Sequence, residues 1–100
     1  MTLDELDRLA AEKVMDNYGL LLRSDKIWQP TRNIAQAWEC LESCIQSELG
    51  KPNVWLRESG TWTCRFMAWN TLQDLAEADG QSAPEAIVRA CLKAKGVELE

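Results

Sequence analysis

The chain of 100 residues contains no histidine. That absence removes the commonest general base, the commonest zinc ligand and the side chain that normally changes charge near neutral pH. Positive charge is scarce as well. Eleven Lys and Arg stand against 16 Asp and Glu, giving a net charge of −5 and an isoelectric point near 4.7, which disfavours the cation-driven grip on phosphate backbones. No apolar run approaches the roughly 20 residues of a membrane helix. The start, Met1-Thr2-Leu3-Asp4-Glu5, lacks the basic region and apolar stretch of a secretory signal. A cytoplasmic protein with no membrane role is expected, with its cysteines Cys40, Cys44, Cys64 and Cys91 reduced. There is no glycine-rich phosphate loop, no internal repeat and no low-complexity tract.

What is present is ordinary globular material, 46% hydrophobic and 27% charged, in a length that suits one domain over residues 1–100. Thr2 and Glu5 form a capping box, and Leu3, Leu6, Ala10 and Val14 recur at helical spacing, so a first helix is expected to run to a stop at Gly19. Residues Leu20 to Gln29 are read as an extended or connecting piece, with Gln29 extended because Pro30 follows it. A second helix is expected over Thr31–Leu49, capped by Thr31, with Ile34, Trp38, Leu41, Ile45 and Leu49 on its inward stripe. Gly50 and Pro52 mark its stop. Val54–Arg57 and Thr61–Met67, joined by Glu58-Ser59-Gly60, read as a β-hairpin. In its second arm the period of two puts Trp62, Cys64 and Phe66 on one face. Asn70–Gly80 fits either a third strand or a helical turn. Ser82 and Glu85 make a second capping box for a last helix with Ile87, Ala90, Cys91 and Ala94 on its apolar face, closed by Gly96. The expected class is α+β: a small antiparallel sheet packed with three helices in a layered sandwich.

Three stretches carry a family resemblance: Leu9-Ala10-Ala11-Glu12-Lys13-Val14-Met15, then Thr31-Arg32-Asn33-Ile34-Ala35-Gln36-Ala37-Trp38-Glu39, then Ala76 through Ile87. In this order and spacing the chain resembles the phage ABA sandwich domain, small proteins of bacteriophages and prophages, over nearly its whole length. The resemblance implies a helix–sheet–helix layering and a phage or prophage origin. It brings no activity and no catalytic residues. The chain departs from the pattern at Asp16-Asn17, after Met15, and at Gly80-Gln81, before the last cap.

The cysteines are the first candidates for chemistry. Cys40 and Cys44 lie one helical turn apart, and with Cys64 and Cys91 they could form a four-thiolate zinc site. Such sites normally use two Cys pairs on turns, whereas only one pair is present here, in mid-helix beside an apolar stripe, where reduced cysteine acts as a small hydrophobe. A nucleophilic cysteine needs a base or a cationic setting, and none is evident. Asp74, Glu77 and Asp79 lack the spacing of a calcium loop. No catalytic, cofactor-binding or metal-binding residue is assigned, and an enzyme is not expected.

The five tryptophans are the unusual feature. Periodicity points Trp38 and Trp62 inward. Trp55 is out of phase with Val54 and Leu56, and Trp28 and Trp69 sit at element ends. An exposed tryptophan is a typical interface anchor, so Trp28, Trp55, Arg57 and Trp69 are the candidate contact surface. The expected function is noncovalent binding by a small phage accessory protein, through a protein partner or self-association, with inhibition of a host factor as one form of it. The alternatives are a nucleic-acid-linked role using Arg57 and Arg65 beside tryptophans, a DNA-mimic acidic face, or sequestration of a small ligand; direct nucleic-acid binding is disfavoured by the charge.

Overall fold

A computed structural model describes residues 1–16, 27–46, 50–67 and 74–99. Helix α1 spans Leu3–Leu9, and its start is the expected cap: the Glu5 N–H donates to the Thr2 hydroxyl at 3.1 Å. The helix then widens into a π turn over Ala10–Val14, where the Met15 N–H reaches back to the Ala10 carbonyl at 2.9 Å. Ala10, Ala11 and Val14 are all buried there. Asp16, at φ 51°, turns the chain out of the helical path ahead of the expected stop; Gly19 lies outside the described residues.

Helix α2 spans Ile34–Gln46. Its cap is Asn33, whose side chain accepts from the Gln36 N–H at 3.1 Å. Thr31, the cap expected from sequence, is instead buried in the preceding turn, where its N–H donates to Asp7 Oδ1 at 2.9 Å. Trp28 is buried beside it, with its indole N–H on the Asp7 carbonyl at 2.9 Å. Gln36, also buried, accepts from the Gln29 N–H and donates to the Ile27 carbonyl. One carboxyl on α1 and one amide on α2 therefore fasten this connection through its own backbone groups, which would otherwise be buried without partners.

The inward face of α2 keeps part of the expected stripe, with Leu41 buried and Ile45 packed against the core, and departs from it at its start; Leu49 lies outside the described residues. Ala37, Cys40, Leu41 and Cys44 are buried, whereas Ile34 is 54% and Trp38 51% exposed. The small side chains let α2 lie close to the last helix, and that packing sets the rotation of α2 about its axis.

Strands β1 (Lys51–Leu56), β2 (Trp62–Met67) and β3 (Asp74–Gly80) form an antiparallel sheet in the order β1-β2-β3. The hairpin is as expected, and the open reading of residues 70–80 resolves as a third strand over 74–80. Helix α3 spans Ala83–Ala94, capped by Ser82, whose hydroxyl accepts from the Glu85 N–H. It ends in a Schellman motif: Gly96, at φ 85°, donates to the Lys93 carbonyl and Val97 to the Leu92 carbonyl, each at 2.9 Å.

Helix α3 packs on all three strands, and α1 and α2 pack in turn on α3. Being covered on several sides, α3 buries Ala86, Ile87, Val88, Ala90, Cys91 and Leu92 to 1% exposure or less, the mark of a central helix rather than an amphipathic surface one. The class is α+β, a small antiparallel sheet with three helices. The described helices all lie on one side of the sheet. The helix–sheet–helix layering implied by the resemblance is therefore not seen among the described residues.

Candidate binding face of the sheet

Alternation along the strands assigns each side chain to a face. Cys64, Phe66 and Ala78 join the core with α3, and Val54 and Trp62 pack against it. The intervening residues point the other way. The register sets Trp55 beside Thr63 and Thr63 beside Asp79; in the next row it sets Asn53 beside Arg65 and Arg65 beside Glu77. This outer face finds its partners within itself.

Arg57, just past the end of β1, organises it. Its Nε donates to the Thr63 hydroxyl, and its Nη2 to Glu77 Oε1 at 3.0 Å. The Thr63 hydroxyl in turn donates to Asp79 Oδ1 at 2.7 Å. Arg65 Nη2 approaches the same Glu77 oxygen at 3.4 Å. The Arg65 and Arg57 guanidinium carbons lie 5.0 and 5.7 Å from the centre of the Trp55 ring, within cation–π range. Thr63 is fully buried under this network, while Trp55, Arg65 and Glu77 are half-buried. Lys93 of α3 reaches the edge of β3 and donates to the Glu77 carbonyl at 2.9 Å. Beside it runs an open groove of about 350 Å³ lined by Arg57, Glu77, Ala78, Asp79 and Lys93. Among the described side chains of this face, Arg57 and Arg65 are set against Glu77 and Asp79.

Both edges of the sheet are blunted. Arg57 and Thr61 pair through the Arg57 N–H at 2.8 Å. By antiparallel alternation, Pro52, Val54 and Leu56 then direct their backbone groups away from β2, and Pro52 has no N–H to offer there. On the other edge the Lys93 ammonium occupies the outward Glu77 carbonyl. Strand addition is disfavoured at both edges.

The cysteines belong to the core. Cys40, Cys44, Cys64 and Cys91 are all free and fully buried. Burial pushes the Cys40 and Cys64 thiols up to about 12. A hydrogen bond with Cys44, reinforced by burial, pushes Cys91 well above the ordinary thiol value. The same hydrogen bond draws the Cys44 thiol below its ordinary value, and all four sulfurs lie enclosed in the core, away from solvent. No group of three or more cysteines and carboxylates suited to a metal ion occurs among the described residues, and no helix there is long and apolar enough to cross a membrane.

Of the candidate contact residues, Trp55 and Arg57 come together on the outer face. Trp28 does not: it is buried, and its indole N–H is spent on Asp7, so it fastens a loop instead of meeting a partner. Trp69 lies outside the described residues. Trp38, expected inside, is exposed, and Trp62 packs against the core as expected. Glu77, Asp79 and Lys93 complete the face without having been singled out as contact residues. Their signal was the alternation of Ala76, Ala78 and Gly80 with Glu77 and Asp79, a strand pattern with one small face and one charged face.

No protein-family model matches the sequence, and no curated protein matches it. The fold is similar to that of a phage protein from Bacillus cereus ATCC 14579, known from a 2.0 Å crystal structure. The TM-score is 0.72 and the identity 18%, over 100% of this chain and 93% of that one.

Proposed function

We propose that this is a small phage- or prophage-encoded accessory protein that acts by noncovalent binding to another protein, using the outer face of its sheet; blocking a host factor is one form such action takes. The fold shared with the Bacillus cereus phage protein supports the phage setting. The observation that carries the binding reading is Trp55. It is half-buried beside two guanidinium groups, on a face that no described helix covers. Large aromatic side chains flanked by arginine are the groups on which interfaces concentrate their energy. Catalysis is not part of the proposal, because the histidine-free chain keeps its described thiols inside the core.

The test is paired affinity capture from phage-infected host lysate with the wild type and with Trp55→Ala, each checked for native circular dichroism. Proteins retained by the wild type and lost with the variant support the reading. An identical set retained by both removes the outer face as the contact surface.

A second reading, self-association, is favoured by Ile34 and Trp38, one turn apart on α2 and each more than half exposed. Concentration-dependent mass in sedimentation that disappears in Trp38→Glu supports it; a constant monomer mass excludes it.

A further inference from the structure

The core holds a chemistry independent of the outer face, in the four cysteines that gather there from three elements. Cys40 and Cys44 come from α2, Cys64 from β2 and Cys91 from α3, and all four are free, fully buried members of one cluster. We propose that Cys44 and Cys91 are a redox-sensitive pair, which a small hydroperoxide converts to a disulfide that ties α2 to α3.

Three observations single out this pair. First, the two side chains meet across the packed interface of α2 and α3, where the Cys91 thiol donates a hydrogen bond to the Cys44 sulfur. Cys40 is a poorer partner for Cys44. Residues one turn apart on a helix hold their Cβ atoms about 5–6 Å apart, more than the roughly 3.5–4.5 Å that a disulfide spans. Cys64 faces the pair from β2 and senses it through charge. Second, the contact gives the two sulfurs different roles. Cys44 is the acceptor, and the Lys95 ammonium, one turn beyond Cys91 at the end of α3, favours negative charge on it. Cys91 keeps its proton. A sulfur with thiolate character attacks an oxidant, and a neighbouring thiol then resolves the product. Third, Cys91 lies in the last turn of α3, which ends at Ala94. Helix ends open locally at a smaller cost than the whole fold. Such opening admits a reagent as small as hydrogen peroxide to sulfurs that have no surface in the closed state.

The Cys44 thiolate attacks one peroxide oxygen, the O–O bond breaks, and the departing hydroxide takes up a proton to leave as water. Cys44 is now a sulfenic acid. The Cys91 sulfur attacks the Cys44 sulfur, the S–S bond forms as the S–O bond breaks, and the hydroxyl leaves as a second water with the Cys91 proton. The two sulfurs together lose two electrons, and the peroxide gains them. The bridge closes a loop that contains all three strands, which restricts the unfolded chain and so favours the folded one.

The test uses the intact chain. It is treated with hydrogen peroxide at an exposure that fully oxidises dithiothreitol in a parallel tube, then unfolded in iodoacetamide and mapped by peptide mass spectrometry. The expected product has lost two hydrogen atoms, carries a cross-linked peptide joining Cys44 to Cys91, is alkylated at Cys40 and Cys64 only, and reverts on reduction. Its urea midpoint is expected to lie above that of the reduced chain. Cys40→Ala is expected to keep the bridge, and Cys91→Ala to leave less than about one tenth of the wild type's intramolecular cross-link. The mapping of the wild type needs no substitution, so it decides the matter even if a variant does not fold. Four alkylated cysteines, a bridge joining another pair or two copies of the chain, or sulfinic and sulfonic acids with no bridge each overturn the assignment. A bridged chain whose urea midpoint is unchanged or lower overturns the tie between the helices.

Discussion

The two faces of the sheet are built from alternate residues of the same strands, yet they are held by different physics. Inside, Cys64 and Phe66 are fully buried and Ala78 nearly so, packed with Ile87 and the rest of α3. The contacts there are between apolar side chains and reduced thiols. Outside, Arg57, Arg65, Glu77, Asp79 and Thr63 satisfy one another at a surface half open to water. Ion pairs in that setting contribute little net stability, because the same charges are well hydrated in the unfolded chain. The fold therefore rests on the inner face, and the outer face is free to be shaped by what it meets. Substitutions on the two faces should separate stability from binding.

The largest effect is expected from Phe66→Ala. Its ring is fully buried at the centre of β2, so truncation loses its transfer energy and leaves a cavity, at a cost of about 3–5 kcal/mol in denaturant unfolding. For a small domain that is a large part of the total. Trp55→Ala, also in the sheet but half-exposed, is expected to cost about 1 kcal/mol. Equal losses at the two positions would break the contrast between the faces.

A smaller loss is expected where the inner face meets α3. At Gly80 an added Cβ would lie 2.6 Å from the Ala86 backbone nitrogen and 2.9 Å from Glu85 Oε2. The first neighbour is backbone and cannot swing aside. The second is the carboxylate that accepts from the Gln81 N–H at 3.0 Å. Gly80→Ala must push the start of α3 away from β3, costing about 1–3 kcal/mol as overpacking typically does. A variant as stable as the wild type would show that this junction has slack.

Much of this architecture was legible in the residues, and the failures share a cause. Caps were readable because they are local: Thr2 with Glu5, and Ser82 with Glu85, need only a few neighbouring residues to form. The rotation of α2 was not. Large side chains, Ile34 and Trp38, suggested the inward stripe, whereas helix α3 selected the small ones, Ala37, Cys40 and Cys44, that allow close approach. Hydrophobic periodicity finds an apolar arc, but which part of a wide arc is covered depends on the partner helix. Strand β3 is a tertiary decision of the same kind. Within Asp74–Gly80, Leu75, Ala76, Glu77 and Ala78 form a run of good helix formers, yet the segment pairs with β2 from Trp62↔Gly80 to Phe66↔Ala76. Trp28 looked like an anchor for a partner because nothing near it in sequence explains its burial; its partner, Asp7, is 21 residues away.

Asp7 sharpens the contrast by placing a carboxylate inside. It is 4% exposed on the helical side of the molecule. Burial raises its pKa above the ordinary 3.8, against the lowering effect of the Thr31 N–H. The native state therefore holds the proton more tightly than the unfolded chain. The stabilising contribution is fully present below the unfolded value near 3.8 and is lost as pH rises through the raised native value. Asp7→Asn keeps an oxygen for Thr31 and carries no charge, so at neutral pH it is expected to be at least as stable as the wild type. The wild type should gain relative to it as pH falls toward 3.8. Asp7→Ala, which strands the buried Thr31 N–H, is expected to cost about 1–3 kcal/mol. Urea unfolding from neutral pH down to 3.8 checks both, and a wild type that loses ground to Asp7→Asn on acidification would reverse the assignment.

The smallest effect belongs to the outer face, and it is the most informative about why that face exists. Arg57 and Glu77 form an ion pair of 3.0 Å there, with 43% and 35% of their side chains exposed. A double-mutant cycle of Arg57→Ala and Glu77→Ala is expected to give a coupling below about 1 kcal/mol in stability. Arg57 also donates to Thr63, which is fully buried, so Arg57→Ala alone should cost more than Glu77→Ala alone. Thr63 keeps a partner in Asp79, and that limits the difference. If the coupling instead approaches the loss at Phe66, the network holds the fold together and its charges need no partner to explain them. If it is small, the half-open face with two guanidinium groups beside a tryptophan contributes little to stability, as the contrast between the two faces requires.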